Sequence, residues 1–146
     1  MAGPMHNRPP PKSVIMQQIK LTLNKAMVGR QIRYIPHSLN HRLHYMKRAK
    51  WNQVWKDNVW TSFISKKHGI PFELPIKKSA VTITLRTCRL LDVDNAYTCA
   101  KPILDGLRYA GVIQDDSPKH LSLYVNQEQV HKIDKQGVDI YLSEIK

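Results

Sequence analysis

Residues 79–116 read SAVTITLRTCRLLDVDNAYTCAKPILDGLRYAGVIQDD. The first nine alternate Val81, Ile83 and Leu85 with Thr and Arg and are rich in β-branched side chains. That pattern predicts a strand over 79–87. Farther on, Ala96, Ala100, Ile103, Leu107 and Ala110 recur at spacings of three and four, which predicts an amphipathic helix over 95–110, stopped by Gly111. Pro102 falls inside it and either kinks the helix or marks where regular helix begins after an irregular first turn. Between strand and helix lie Asp92 and Asp94, and beyond the helix lie Asp115 and Asp116.

Working outward, VIMQQIKLTL at 14–23 contains a strand ending at Leu23. Residues 24–40 have Gly29, Pro36 and several basic side chains but no clear period, so they read as a long loop. Residues 41–68 read as a long helix, free of Pro and Gly until Gly69 and Pro71, with Ser38 or Asn40 as its cap. Trp51, Trp55 and Trp60 are expected in its core and boundary, since a base-stacking platform normally sits on a sheet or loop. Toward the C-terminus, strands are expected near 119–126 and 137–143. The charged stretch around His131, Lys132, Asp134 and Lys135 would be the turn of a final hairpin. The order β, α, β, α, β, β implies an α+β fold, a small mixed or antiparallel sheet with two main helices packed on it. Residues 1–13, rich in Pro, are expected to be a flexible basic arm ahead of a single domain over 14–146.

The chain carries a formal charge of +12. Residues 1–91 hold 17 Lys/Arg against two acids, Asp57 and Glu73, whereas residues 92–146 hold six against nine. Such polarity attracts polyanions without distinguishing DNA, RNA or an acidic lipid surface. The two cysteines, Cys88 and Cys99, lack the further ligands of a zinc finger and suit a reducing compartment as small apolar residues. The N-terminus has no continuous apolar run, and no stretch is long enough for a membrane span, so a cytoplasmic location is expected.

Five of the 11 acidic residues fall within 91–116. In extended backbone, Asp92 and Asp94 would point the same way, toward one metal. A strand–helix–loop unit returns toward its starting edge, so Asp115 or Asp116 could supply a third carboxylate. Hard oxygen ligands of this kind suit Mg²⁺, with Mn²⁺ as a substitute. Such a cation activates water and neutralises charge in phosphodiester hydrolysis. Lys101, on the same polar face as Asp105 and Arg108, could stabilise developing negative charge. Plainer roles exist for each residue. Asp94 could be only an N-cap, Asp115–Asp116 an acidic turn, and Lys101 with Asp105 a surface i,i+4 pair.

The run DVDNAYTCAKPILDGLRYAGVIQDDSP resembles the signature of the RusA family of Holliday junction resolvases: DxDN, a lysine in the helix, an aspartate one turn later, then a glycine and a DD pair. The resemblance over residues 1–78 is weaker and mostly topological. It implies a homodimeric endodeoxyribonuclease that resolves four-way DNA junctions by paired phosphodiester cleavage with Mg²⁺ or Mn²⁺. By this resemblance Asp92, Asp94 and Asp116 are the metal ligands and Lys101 is the catalytic lysine. Asp105, Asp115 and Asn95 would lend support. The stretch from Asn95 to Lys101 departs from the family's best-known bacterial member by about three extra residues, close to one helical turn, so Lys101 can keep its face. Lys25, Arg30, Arg33, Lys47, Lys50, Arg86 and Arg89 are expected to grip DNA phosphates. The competing expectations are a noncatalytic nucleic-acid-binding protein, a metal-dependent nuclease for other branched DNA or RNA, and a protein-interaction subunit whose acidic patch meets a basic partner.

Overall fold

A computed structural model describes residues 15–39 and 41–145. The expected arm at 1–13 and the alternative cap Asn40 lie outside the described residues. The alternating segment forms β4 (Ser79–Thr87), a central strand of a four-stranded sheet. Its neighbours are β5 (Leu121–Gln129), parallel to it, and β6 (Gly137–Ile145), antiparallel to it. Strand β1 (Ile15–Leu23) pairs antiparallel with the far side of β6, which gives the spatial order β1-β6-β4-β5.

The register lines up apolar residues across the sheet. Leu21 faces Ile140, Ile140 faces Ile83 and Ile83 faces Val125. The next row is Leu23, Val138 and Leu85. These residues are buried with Trp55, Val59 and Phe63 of α1 (Tyr45–Ile64) and with Ala100, Ile103 and Leu107 of α2 (Val93–Tyr109). Each fully buried Leu, Ile, Val or Phe contributes about 1.5–3 kcal/mol relative to exposure. The helices meet at Gly106, where a Cβ would stand 2.9 Å from Val59 Cγ2 and 3.3 Å from Lys56 Cα. The α+β architecture, with a mixed sheet and two main helices packed on it, is therefore the one expected. Trp51 and Trp55 are core residues, and Trp60 lies at the exposed boundary.

Several expectations need correction. The last two strands are not a hairpin. Because β4, α2 and β5 form a parallel unit, β5 takes one edge of β4 and leaves the other to β6. The connection crosses the end of β4, where Val130 N donates to Thr87 O at 2.9 Å and Cys88 N donates to Gln136 Oε1 at 3.1 Å. The supposed loop at 24–40 contains a small hairpin, β2 (Ala26–Val28) and β3 (Gln31–Arg33). Its turn uses Gly29 at φ 61°, a conformation costly for other residues. Helix α1 is shorter than expected and is capped by His44, whose Nδ1 accepts from Met46 N at 3.3 Å. Helix α2 begins two residues early and runs through Pro102. No described helix is long and apolar enough to cross a membrane.

Candidate functional site

The acidic motif begins where β4 hands over to α2. Gln127 on β5 fixes that junction: its Oε1 accepts from Leu91 N at 2.7 Å, and its Nε2 donates to Leu91 O at 2.8 Å. The chain therefore enters α2 at a defined point. Asp92 is the N-cap residue, and its backbone carbonyl accepts from Ala96 N at 2.9 Å. Its side chain makes no capping hydrogen bond, so the exposed carboxylate is not used to close the helix end. Asp94 lies in the first turn, exposed, where the helix dipole favours a negative charge. It is therefore neither the cap nor part of an extended strand, and the argument that i and i+2 face alike does not apply to the pair.

Helical spacing nevertheless organises the polar residues. Steps of 7, 4 and 3 place Asp94, Lys101, Asp105 and Arg108 along one stripe of α2. Asp94 and Lys101 are separated by a rise of about 10 Å. Asp116 reaches the far part of this stripe from the loop after α2. That loop turns at Gly111, φ 75°. It is then pinned by Ile76 N donating to Val112 O at 2.8 Å and Gln114 N donating to Ile76 O at 3.3 Å.

The two adjacent aspartates have separate tasks. Asp115 Oδ1 accepts from Ser117 N at 2.9 Å and lies 3.1 Å from His120 Nδ1, so it shapes the turn. These hydrogen bonds, the one from Ser117 foremost, hold its carboxyl below the usual range. Asp116 Oδ2 accepts from Lys101 Nζ at 2.7 Å. Lys101 Nζ is also 3.3 Å from Asp105 Oδ1, while Arg108 stands 3.6 Å from both Asp105 and Asp116. The lysine hydrogen bond is the main cause of a lowered Asp116 carboxyl, and the same contact raises the Lys101 ammonium.

The structure thus joins Lys101, Asp105 and Asp116 and leaves Asp94 at the other end of the stripe, with Asp92 ahead of it at the N-cap. Among the described residues, no group of three or more His, Cys, Asp or Glu side chains is gathered to hold a metal ion. The donor chemistry of Asp92 and Asp94, exposed oxygen ligands without a protein cation in ion-pair contact among the described residues, suits a hard divalent cation. Asp116 has the same chemistry but presently satisfies a lysine. Asn95 supports the helix start through its carbonyl, which accepts from Thr98 Oγ1 at 3.0 Å. That same hydroxyl takes Leu39 N at 3.2 Å and so ties the preceding loop to α2.

Of the basic residues assigned to DNA, Lys25, Arg30, Lys47, Lys50 and Arg89 are exposed. Arg33 and Arg86 are not free in the same sense. Arg33 donates to the carbonyls of Ile35 and Pro36 at 3.1 and 3.5 Å. Arg86 pairs with Asp139 at 3.0 Å and donates to Lys135 O at 2.7 Å. Sequence reasoning missed the Gln127 clamp, because an amide that binds backbone across two strands leaves no local pattern. Cys99 is buried, and burial pushes its thiol up to about 11, consistent with an unreactive core residue. No protein-family model matches this chain, and no curated protein matches it either.

Proposed function

We propose that the protein is a Mg²⁺-dependent endonuclease of branched DNA, with the four-way junction as its substrate. The observation that supports this reading most is the contact between Lys101 and Asp116, 15 residues apart, which brings the lysine of the motif against its final aspartate. The same motif is the part of the chain that resembles the RusA resolvases.

In this reading Asp92, Asp94 and Asp116 would hold the cation once Asp116 exchanges its contact with Lys101 for the metal, and Mn²⁺ can replace Mg²⁺. The bound cation supplies water activation and charge neutralisation. Lys101 brings a positive charge beside the scissile phosphate, and Asp105, itself paired with Arg108, keeps its ammonium on the α2 stripe. Lys25, Arg30, Lys47, Lys50 and Arg89 hold the phosphate backbone and fix position without reading sequence. A homodimer with two-fold symmetry matches the two-fold symmetry of the junction and yields paired nicks. The cytoplasm is the compartment that fits this substrate.

The test is a cleavage panel of four-way, three-way, flap and linear DNA, together with RNA, in Mg²⁺ or Mn²⁺. The four-way junction is cut preferentially. Asp94→Asn lowers cleavage to background and leaves junction binding in place. Undiminished cleavage by that folded variant sinks the metal assignment. The exposed side chains of Lys25, Arg30, Lys47, Lys50 and Arg89, which need no metal to meet phosphates, favour a second reading, a noncatalytic nucleic-acid-binding protein. Tight binding with no nicking of any substrate in either metal selects it.

A further inference from the structure

Strand alternation gives the four-stranded sheet two unlike faces. One is the core face, where Leu21, Ile140, Ile83 and Val125 are buried with α1 and α2. The intervening residues build the other face, on which neither α1 nor α2 packs. One cross-strand row there runs through all four strands. Lys20 on β1 faces Tyr141 on β6, Tyr141 faces Thr82 on β4, and Thr82 faces Tyr124 on β5. In the adjoining rows, Ser143 faces Ala80 on one side and Asp139 faces Thr84 on the other. All four are short and buried, so the tyrosines form the raised part of this face.

Both tyrosines are half-buried, and Tyr124 lies on an edge strand. Their Cα atoms are two strand spacings apart, roughly 10 Å, beyond the range in which aromatic rings pack on one another. Among the described residues neither ring meets another aromatic ring. The exposed Lys20 Nζ stands 5.6 Å from the centroid of the Tyr141 ring, so that ring already takes a cation from the solvent side. None of the exposed large apolar side chains among the described residues lies on this face, so it lacks the apolar area an amphipathic helix needs. Of its carboxylates, Asp139 is paired with Arg86, and Glu128 stands at the far end of the face, opposite Arg86. Separated π surfaces with a cation beside them fit successive bases and the phosphates that join them.

We propose that this face binds single-stranded DNA, stacking one unpaired base on Tyr124 and one on Tyr141 while Lys20 meets the phosphate backbone. Thr82 keeps the two stacking positions apart. Such stacking is sequence-tolerant, because every base has a π face. The choice of DNA rests on the nuclease reading, since branch points are where a duplex exposes unpaired bases. The stacking itself does not rest on it. Helix α2, with its acidic stripe, packs on the opposite face, so this is a second contact surface and adds no residue to the cleavage site.

The experiment uses the full chain in EDTA, so that no divalent cation supports cleavage, and reads fluorescence anisotropy. The probes are a labelled oligothymidylate of about 12 nucleotides and an abasic DNA strand of the same length and charge. The unmodified protein binds the base-bearing strand roughly a hundredfold more tightly than the abasic one. Tyr124→Leu and Tyr141→Leu each weaken oligothymidylate binding about tenfold and leave abasic binding unchanged. Tyr→Phe at either position retains affinity. Should one leucine variant fail to fold, the other and the abasic comparison on the unmodified protein carry the test. Equal affinity of the unmodified protein for the two strands overturns the proposal and leaves phosphate contact alone. Folded leucine variants that bind oligothymidylate like the unmodified protein overturn it as well. A uridine strand bound more tightly than the thymidine strand overturns the choice of DNA. Junction cleavage in Mg²⁺ is assayed separately on the unmodified protein. Its absence beside a retained preference for bases removes the nuclease reading and keeps the stacking face, so the two failures are distinguishable.

Discussion

Among the described residues, the ion-pair cluster around Arg86 and the one around Lys101 differ in what surrounds them. Arg86 and Asp139 meet at 3.0 Å with side-chain exposures of 22% and 9%. Asp139 Oδ1 also accepts from Thr22 Oγ1 at 3.0 Å, and Arg86 reaches Lys135 O, so the cluster ties β1, β6, β4 and the crossing connection together. Lys101 and Asp116 meet at a shorter 2.7 Å, but with exposures of 48% and 32%. Distance alone would rank the second pair higher. Solvation reverses the ranking, because water can replace either partner in the second cluster and cannot do so in the first. One cluster is therefore scaffold, and the other can be rearranged at little cost to the fold.

The largest effect is expected at the enclosed pair. Asp139→Ala strands a partly buried guanidinium and removes the acceptor of the exposed Thr22 hydroxyl, and destabilises by about 3 kcal/mol. Urea denaturation followed by circular dichroism measures it. A loss below about 1 kcal/mol would break the contrast, since exposed pairs reach that value. Gly137 sharpens the point. A Cβ there would stand 2.6 Å from Arg86 Nη2, so the guanidinium lies where only glycine leaves room. Gly137→Ala displaces the Arg86 tip and is expected to cost less than Asp139→Ala in the same assay, since a flexible end can shift.

His37 lies between these limits. Its Nδ1 is buried without a partner, and its ring packs edge-on against Trp51 at 5.3 Å. Burial, followed by the nearby charges of Arg33, His41 and Arg48, lowers its pKa from 6.5 to about 4. The folded state therefore prefers the neutral ring. Its contribution is fully present above pH 6.5, declines as pH falls toward about 4, and changes no further below that. With solvent screening allowed for, the decline is about 1 kcal/mol. His37→Gln removes this limb of the stability profile. A wild-type profile flat between pH 6.5 and 4 would place the ring in water instead.

Much of this arrangement is legible in the sequence because it is local. The alternation over β4 marks its ends at Ser79 and Thr87, and the 3–4 spacing from Ala96 to Ala110 marks α2. The stripe from Asp94 to Arg108 follows from that helix alone. Edge choice is different. Nothing near residues 121–145 says that β6 slots between β1 and β4, since its alternation would serve either edge. The fate of each arginine is hidden for the same reason. Arg86 looks like a phosphate ligand until Asp139, 53 residues away, is brought beside it. The division of labour between Asp115 and Asp116 likewise depends on His120 and Lys101, which adjacency in the motif does not reveal.

The smallest effect on stability is expected at the exposed cluster. Lys101→Met removes the hydrogen bond that lowers the Asp116 carboxyl, and the change in stability at neutral pH stays under about 1 kcal/mol. The pH dependence has two signs. Asp116 has a depressed folded value, so its contribution is present above the ordinary 3.8 and is lost as pH falls through the lower folded value. Lys101 has a raised value, so its contribution is present below 10.5 and is lost as pH rises through the higher folded value. Both limbs shrink in Lys101→Met, while the His37 limb between pH 6.5 and 4 stays. If the protein cleaves DNA as proposed, the same variant loses roughly a hundredfold or more in cleavage rate, in the range for removing one charge-stabilising donor. A variant that keeps its stability and loses its rate makes the exposed cluster functional. One that loses stability like Asp139→Ala makes both clusters scaffold.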